Sequence, residues 1–271
     1  MKNWQCVCRG FRVLCSSSVL CGVLYGHALY AETVKTLEQK IISQYYQDDF
    51  QGGRFEADQY NRQIADGIKK IISQQPNSSF RYDFKALRQK NMLRLFYSPD
   101  HKLKIYNLDT SSGGSMRFFE NMIQYKVADK VQQQKLANIA LLRRVGQTRL
   151  GEQVVYLLVD SAIHSSCEGD STLRAYTLGE HGLTEAKVFK TQQQTLSKIA
   201  VPYNCKAFRP QDSFYQDYSK IYQEMIRFSA DTQFIDIRIL DKNLVPQDQY
   251  FRYQKQGDIF QYRGIVPSTT R

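Results

Sequence analysis

The spacing of apolar positions changes twice along this chain of 271 residues. Val13 to Tyr25 is a short apolar stretch, diluted by Ser16, Ser17 and Ser18. From Thr33 to about Phe50, Val34, Leu37, Ile41, Ile42 and Tyr45 recur at intervals of three and four with Lys and Gln between them, the signature of an amphipathic helix. Gly52-Gly53 interrupts it, and a second helix is predicted from about Glu56 to Gln74, with Tyr60, Ile64, Ile68, Ile71 and Ile72 on one face. Gln75-Pro76-Asn77-Ser78-Ser79 has the chemistry of a helix stop. The short link between the two helices predicts an antiparallel pair.

Beyond Phe80 the period becomes two, and aromatic and β-branched residues dominate. Met92 to Tyr97 and Leu103 to Leu108 flank the turn Ser98-Pro99-Asp100-His101, and Phe118 to Val127 reads as a further strand. Ala128 to Arg143 fits a short helix or a loop. Val154 to Ile163 is strongly apolar, and Leu173 to Leu178 and Leu183 to Phe189 bracket the hairpin turn Gly179-Glu180-His181-Gly182. Lys198 to Tyr203, Ile221 to Phe228, Gln233 to Leu240, Tyr250 to Gln254 and Ile259 to Gly264 complete the series. The expected class is α+β: an N-terminal helical pair over 33–75, then a mostly antiparallel β-sheet system of about eight to ten short strands over 80–264. No repeat and no Pro/Gly-rich linker divides 32–271, so a single domain is expected there.

The N-terminus has a different logic. Lys2, Arg9 and Arg12 precede the apolar stretch, with no acidic residue among them, and Gly26-His27-Ala28-Leu29-Tyr30-Ala31 follows it. A helix of about 13 residues spans roughly 20 Å, short of the roughly 30 Å hydrocarbon core. This layout is that of a signal peptide over 1–31, cut after Ala31 or, second, after Ala28, in preference to an uncleaved anchor. No transmembrane span is expected once it is removed. The expected location is outside the cytoplasm, periplasmic or extracellular. The chain carries 37 basic against 26 acidic residues, a net charge of +11, and loss of three basic residues with the leader leaves 34 against 26. That balance favours anionic partners: lipid head groups, lipopolysaccharide or acidic glycans for an exported protein. Arg81, Lys85, Arg88, Lys90, Arg94, Lys102 and Lys104 are the densest basic set, and they also fit a solvated surface of mixed charge. No nucleic-acid-binding signature accompanies them. Four of the six cysteines lie in the leader, leaving Cys167 and Cys205, an even count expected to form one disulfide in an oxidising compartment. Such a bond closes a loop of about 38 residues, worth about 3–4 kcal/mol. Metal binding by His164, Cys167 and His181 lacks a paired CxxC or an HExxH, and no metal or other cofactor is expected.

The most distinctive stretch runs from Lys104 through Asp109-Thr110-Ser111-Ser112-Gly113-Gly114-Ser115-Met116-Arg117 to Asn121: a strand, a Gly/Ser loop and a second strand. Between Phe96 and Gln124 it resembles a group of exported bacterial proteins of unknown function whose pattern is approximately Y-S-P-D-x-K-L-x-I-Y-x-x-D-T-x-x-G-G-x-M-x-x-F-x-N. The resemblance implies export and a mixed helix–strand fold, and brings no activity with it. Read from its residues, Asp109 and Thr110 can cap the turn. Gly113 and Gly114 permit positive φ, and Ser115 adds a hydroxyl and a backbone N–H. With Arg117 beside it and Asn121 beyond, the loop can cradle an anion in a backbone nest, or be a plain hairpin loop.

Enzyme signatures fail on inspection. Leu108-Asp109-Thr110-Ser111 has Ser where the aspartic-protease loop needs Gly, and no second such loop supplies the paired carboxylate. The loop serines have no evident base and no G-x-S-x-G context. The expectation is therefore an exported envelope protein that binds an anionic envelope component or a protein partner without catalysis. The alternative is an exported hydrolase of cell-wall or host polymers, with Asp109, Glu120 or a histidine as acid–base groups.

Overall fold

A computed structural model describes residues 32–48, 56–110, 117–165, 168–204, 225–229 and 231–268. The chain divides into two units, Met1–Glu32 and Thr33–Arg271, and every described element lies in the second. The described residues are mostly β, with fifteen strands in three sheets and four helices. Among them no helix is long and apolar enough to cross a membrane.

Helices α1 (Val34–Asp48) and α2 (Glu56–Gln74) fall where the period of three and four put them. The Thr33 hydroxyl accepts the Thr36 N–H at 3.2 Å and so caps α1. Val34, Ile41 and Ile42 share one apolar cluster with Ile64, Ala65, Ile68, Ile71 and Ile72 of α2. A Cβ on Gly67 would stand 2.9 Å from Ile41, so α2 is closed against that side chain by having none of its own. Pro76, expected to end helical structure, instead opens α3 (Pro76–Arg81). Proline fits there because the first N–H of a helix has no internal partner to lose. A last short helix, α4 (Lys85–Gln89), follows Phe84, whose φ is +48°.

The first sheet is β1 (Arg94–Tyr97), β2 (Leu103–Asp109), β3 (Phe119–Val127) and β4 (Lys130–Leu136), in that order. The second has the order β11 (Lys198–Asn204), β7 (Glu168–Gly179), β6 (Gln153–Ile163), β5 (Leu141–Leu150), with β8 (Gly182–Glu185) also on β7. The third runs β10 (Thr195–Leu196), β9 (Phe189–Lys190), β15 (Ile259–Pro267), β14 (Pro246–Gln256), β13 (Phe234–Leu240), β12 (Ile226–Phe228). All pairs are antiparallel except β9 with β15. The strand count exceeds the eight to ten expected, for identifiable reasons. Residues 128–143, read as helix or loop, hold β4 and the start of β5. Edge strand β4 leaves most of its residues exposed or half-buried, so its Gln132-Gln133-Gln134 carries no apolar alternation to read. The expected strand 183–189 is divided between β8 and β9, which belong to different sheets. Of 221–228 only β12 is described as strand.

Side-chain alternation stacks these pieces in four layers. On β2, Tyr106 and Leu108 join the helical cluster, while Leu103 and Ile105 join Tyr156, Leu158 and Tyr176 of the second sheet. On β6, the opposite residues Val155, Leu157 and Val159 pack with Phe189, Ile235, Tyr253 and Phe260 of the third sheet. Strands covered on both faces read as continuous apolar runs, which is why β6 is buried from Val155 to Ser161.

One residue breaks the pattern. Lys104, grouped by sequence with the surface cations, has no exposed surface at all. It points from β2 toward the helices, where its ammonium donates to the carbonyls of Ser79, at 2.7 Å, and Tyr82. The rings of Tyr106, Phe84 and Tyr97 lie 5.0, 5.1 and 5.6 Å from its nitrogen. Carbonyls at the end of α3, which lack intrahelical partners, are thus capped from the sheet. Gln124 of β3 donates to Pro76 O at 2.9 Å and to Ser79 Oγ at 3.0 Å, and the Tyr106 hydroxyl lies 3.0 Å from Ser79 O and 2.6 Å from Gln124 Oε1. Buried Glu38 of α1 accepts from Tyr82 Oη at 2.5 Å and from the Leu87 N–H at 2.9 Å.

Burial pushes the Lys104 ammonium from 10.5 down to about 7; Asp83 opposes the fall and Arg88 adds to it. Above pH 7 the folded chain therefore binds fewer protons than the unfolded one. Stability should rise between about pH 7 and 9 by up to about 1.4 kcal/mol per unit and level off below pH 7. Urea unfolding of the wild type and Lys104→Met across this range tests it: the variant should lose the slope, and a variant that keeps it would assign the slope to another group.

Candidate functional site

The loop singled out by sequence lies at one end of the interface between the first and second sheets. Asp109 ends β2 opposite Phe119, and the Thr110 N–H donates to Phe118 O at 3.0 Å, closing the base of the loop. The Arg117 guanidinium donates to the Asp109 carboxylate and remains half-exposed. Its backbone forms an isolated bridge to Ile163 at the end of β6, with the Arg117 N–H 3.4 Å from the Ile163 carbonyl. Phe118, beside it, is 52% exposed. Just past Ile163, the His164 ring meets the Asp170 carboxylate at 2.8 Å across the β6–β7 connection. The structure therefore joins Asp109, Thr110 and Arg117. Gly113, Gly114 and Ser115 lie outside the described residues, as do Cys167 and Cys205.

Asn121 is placed differently. It is fully buried directly opposite Asn107 and accepts from the Asn107 amide at 2.8 Å. Its own amide donates to Ile139 O at 2.7 Å and Ala140 O at 3.0 Å. Asn107 donates to the same Ala140 carbonyl at 3.0 Å, and the Ala140 N–H donates to Asp160 of β6 at 3.1 Å. Arg174 of β7 completes the chain with a 2.9 Å bond from Nε to Asp160. This relay ties β2 and β3 to the second sheet beneath the loop. Burial lifts the Asp160 carboxyl above the usual range, against the Arg174 charge and the Ala140 N–H. Sequence reasoning left out Asn107, Asp160 and Arg174. The available signal was parity: Asn107 continues Leu103 and Ile105 on β2, and Asp160 continues Tyr156 and Leu158 on β6, so polar residues recur on faces that are otherwise apolar.

Glu120, the other carboxylate near the loop, faces the helices. Lys69 Nζ lies 3.1 Å and Lys135 Nζ 3.3 Å from it. Burial alone raises its carboxyl, but the two ammonium groups outweigh burial and hold it below the usual range. It is ionised at neutral pH, the wrong state for a proton donor. Among the described residues no three His, Cys, Asp or Glu side chains cluster as a metal site requires.

At the opposite end of the same interface a cleft of about 770 Å³ opens between the β3–β4 turn and the β7–β8 hairpin. Tyr156, Val127, Val154 and Leu178 line it together with Lys102 and Glu180. The β7–β8 hairpin is fixed there by Gln134 of β4, whose amide pairs with the backbone of Leu183 at 2.9 and 3.3 Å. Gly182 is required at this contact: its φ is +106°, and a Cβ would fall 2.3 Å from Gln134 Oε1.

Compared with known proteins, the chain matches no family model and no curated sequence.

The two kinds of loop residue predict different mutational outcomes. Asn121→Ala strips partners from Asn107 and two carbonyls and should cost about 2–3 kcal/mol of stability in urea unfolding. Arg117→Ala removes an exposed pair and should change stability by no more than about 0.5 kcal/mol.

Proposed function

We propose that the protein is exported, to the periplasm or beyond, and binds an anionic envelope component or protein partner without catalysis. The observation that carries the reading is the Arg117 guanidinium: half-exposed beside an exposed phenyl ring, with its backbone anchored to a second strand. An incoming carboxylate or phosphate exchanges with Asp109 for that cation beside Thr110, with Gly113, Gly114 and Ser115 as the further proposed ligand residues, and Asn121 supports the loop from below. Phe118 adds an apolar contact at the rim. The two long helices act in this reading as an antiparallel pair backing the first sheet, so that the loop stands on a rigid stack. Likeness of residues 96–124 to exported proteins supports the location, as does the signal-like leader.

We also propose that Cys167 and Cys205 form a disulfide, because they are the two cysteines that remain once the leader is removed. A non-reduced peptide map of the exported protein should contain the Cys167–Cys205 cross-link; two free thiols would refute it.

Binding is tested by titrating wild type and Arg117→Ala with acidic glycan fragments and anionic lipid head groups. Loss of a charge-assisted hydrogen bond should weaken the variant by about 1–3 kcal/mol. Equal affinities would make the loop an ordinary turn.

A further inference from the structure

On the outer face of the third sheet, three arginines from three adjacent strands surround one carboxylate and one tyrosine. Asp236 of β13 accepts from Arg227 of β12 at 3.1 Å and from Arg252 of β14 at 2.8 and 2.9 Å. The ring of Tyr250 is covered by the guanidinium groups of Arg227, 3.8 Å from its centroid, and Arg238, 4.9 Å from it. Arg238 is the residue this arrangement leaves incomplete. Its side chain is only 9% exposed, yet its salt-bridge partner Asp248 is 94% exposed. Nη1 donates to Tyr250 Oη at 2.7 Å and approaches Ser268 Oγ at 3.4 Å, and Nη2 donates to Asp248 at 3.1 Å. The Nε–H is buried without a partner among the described residues.

A buried guanidinium normally finds a hydrogen-bond acceptor for each donor, because an unpaired one costs its full desolvation. Here the compensating carboxylate stays in water, where its pairing is screened and worth at most about 1 kcal/mol. Nε–H and the adjacent Nη2–H form one edge of the planar fork, the edge that takes two oxygens of a single oxyanion. Asp248 engages only one of these two donors in the structure.

We propose that the Arg238 fork is a second anion site, independent of the Arg117 loop, which receives one carboxylate or phosphate group across Nε and Nη2 in place of Asp248. Tyr250 orients the fork through its hydroxyl and its ring. The ligand need offer only an oxyanion at the end of a chain or on a sugar.

The experiment follows the Arg238 Nε–H resonance of the whole protein during separate titrations with inorganic phosphate and acetate at constant ionic strength, with chloride as the control. A saturable shift with phosphate, acetate or both is expected, and the comparison shows which chemistry the site takes. Asp248→Asn, a surface change, should tighten binding about two- to fivefold, the worth of an exposed ion pair. Arg238→Lys keeps the charge but loses the fork and its Nε–H; followed through the backbone amide resonance of residue 238, it should weaken binding at least about tenfold. Arg117→Ala should leave this titration unchanged, which separates failure of this site from failure of the loop. No saturable shift with either anion would overturn the proposal and leave the Nε–H to water. An equal response to chloride, or unchanged affinity in Asp248→Asn, would overturn it as well.

Discussion

The joint between the helices and the first sheet depends on one buried amine. Apolar contacts alone can seat an amphipathic helix on a sheet in several neighbouring positions, since burial is not directional. Lys104 removes that freedom. Its two carbonyl acceptors belong to the end of α3 and the residue after it, so the nitrogen meets both in one placement of that helix. Gln124 and Tyr106 bind the same turn from neighbouring positions. A buried polar network satisfied in only one arrangement specifies that arrangement, and its cost if disrupted is correspondingly high.

The same logic recurs between the first and second sheets. Leu103, Ile105, Ile123 and Leu158 form the bulk of that interface, while Asn107, Asn121, Asp160 and Arg174 set its alignment near the candidate loop. The loop therefore rests on two devices in series: helices locked to the first sheet, and the first sheet locked to the second. Arg117 gains a fixed position from this without itself being buried. The opposite end of the interface is also pinned by a side chain on backbone, Gln134 on Leu183, so both ends of the interface have polar fasteners with apolar packing between them.

Electrostatics divides the basic residues into different populations. Lys104 is a structural donor under rings and carbonyls. Lys69 and Lys135 neutralise Glu120. Arg227 and Arg252 converge on Asp236. A net charge of +11 overstates the cationic surface, because several of these charges face carboxylates or carbonyls inside the fold. Arg238 differs in that its own side chain is buried while its counter-charge, Asp248, lies in water.

Local pattern was enough to read α1, α2 and most of the central strands, because their alternation reflects nearest-neighbour geometry along the chain. The hairpin at 179–182 and the turn at 98–101 were legible for the same reason: turn chemistry is local. Helix α3 was missed because proline signals both the end of one helix and the start of another. Strand β4 was missed because an edge strand gives no alternating apolar pattern. The loop from Asp109 to Arg117 was visible as composition, but the pairing of its end with Ile163 joins residues 46 apart and has no local signature. Lys104 is the clearest case. By itself the sequence determined that position 104 lies on a strand, one residue out of phase with Leu103 and Ile105. Only the tertiary structure decided that the opposite face would also be covered, because whether a strand is buried on one side or two depends on what distant segments bring to it.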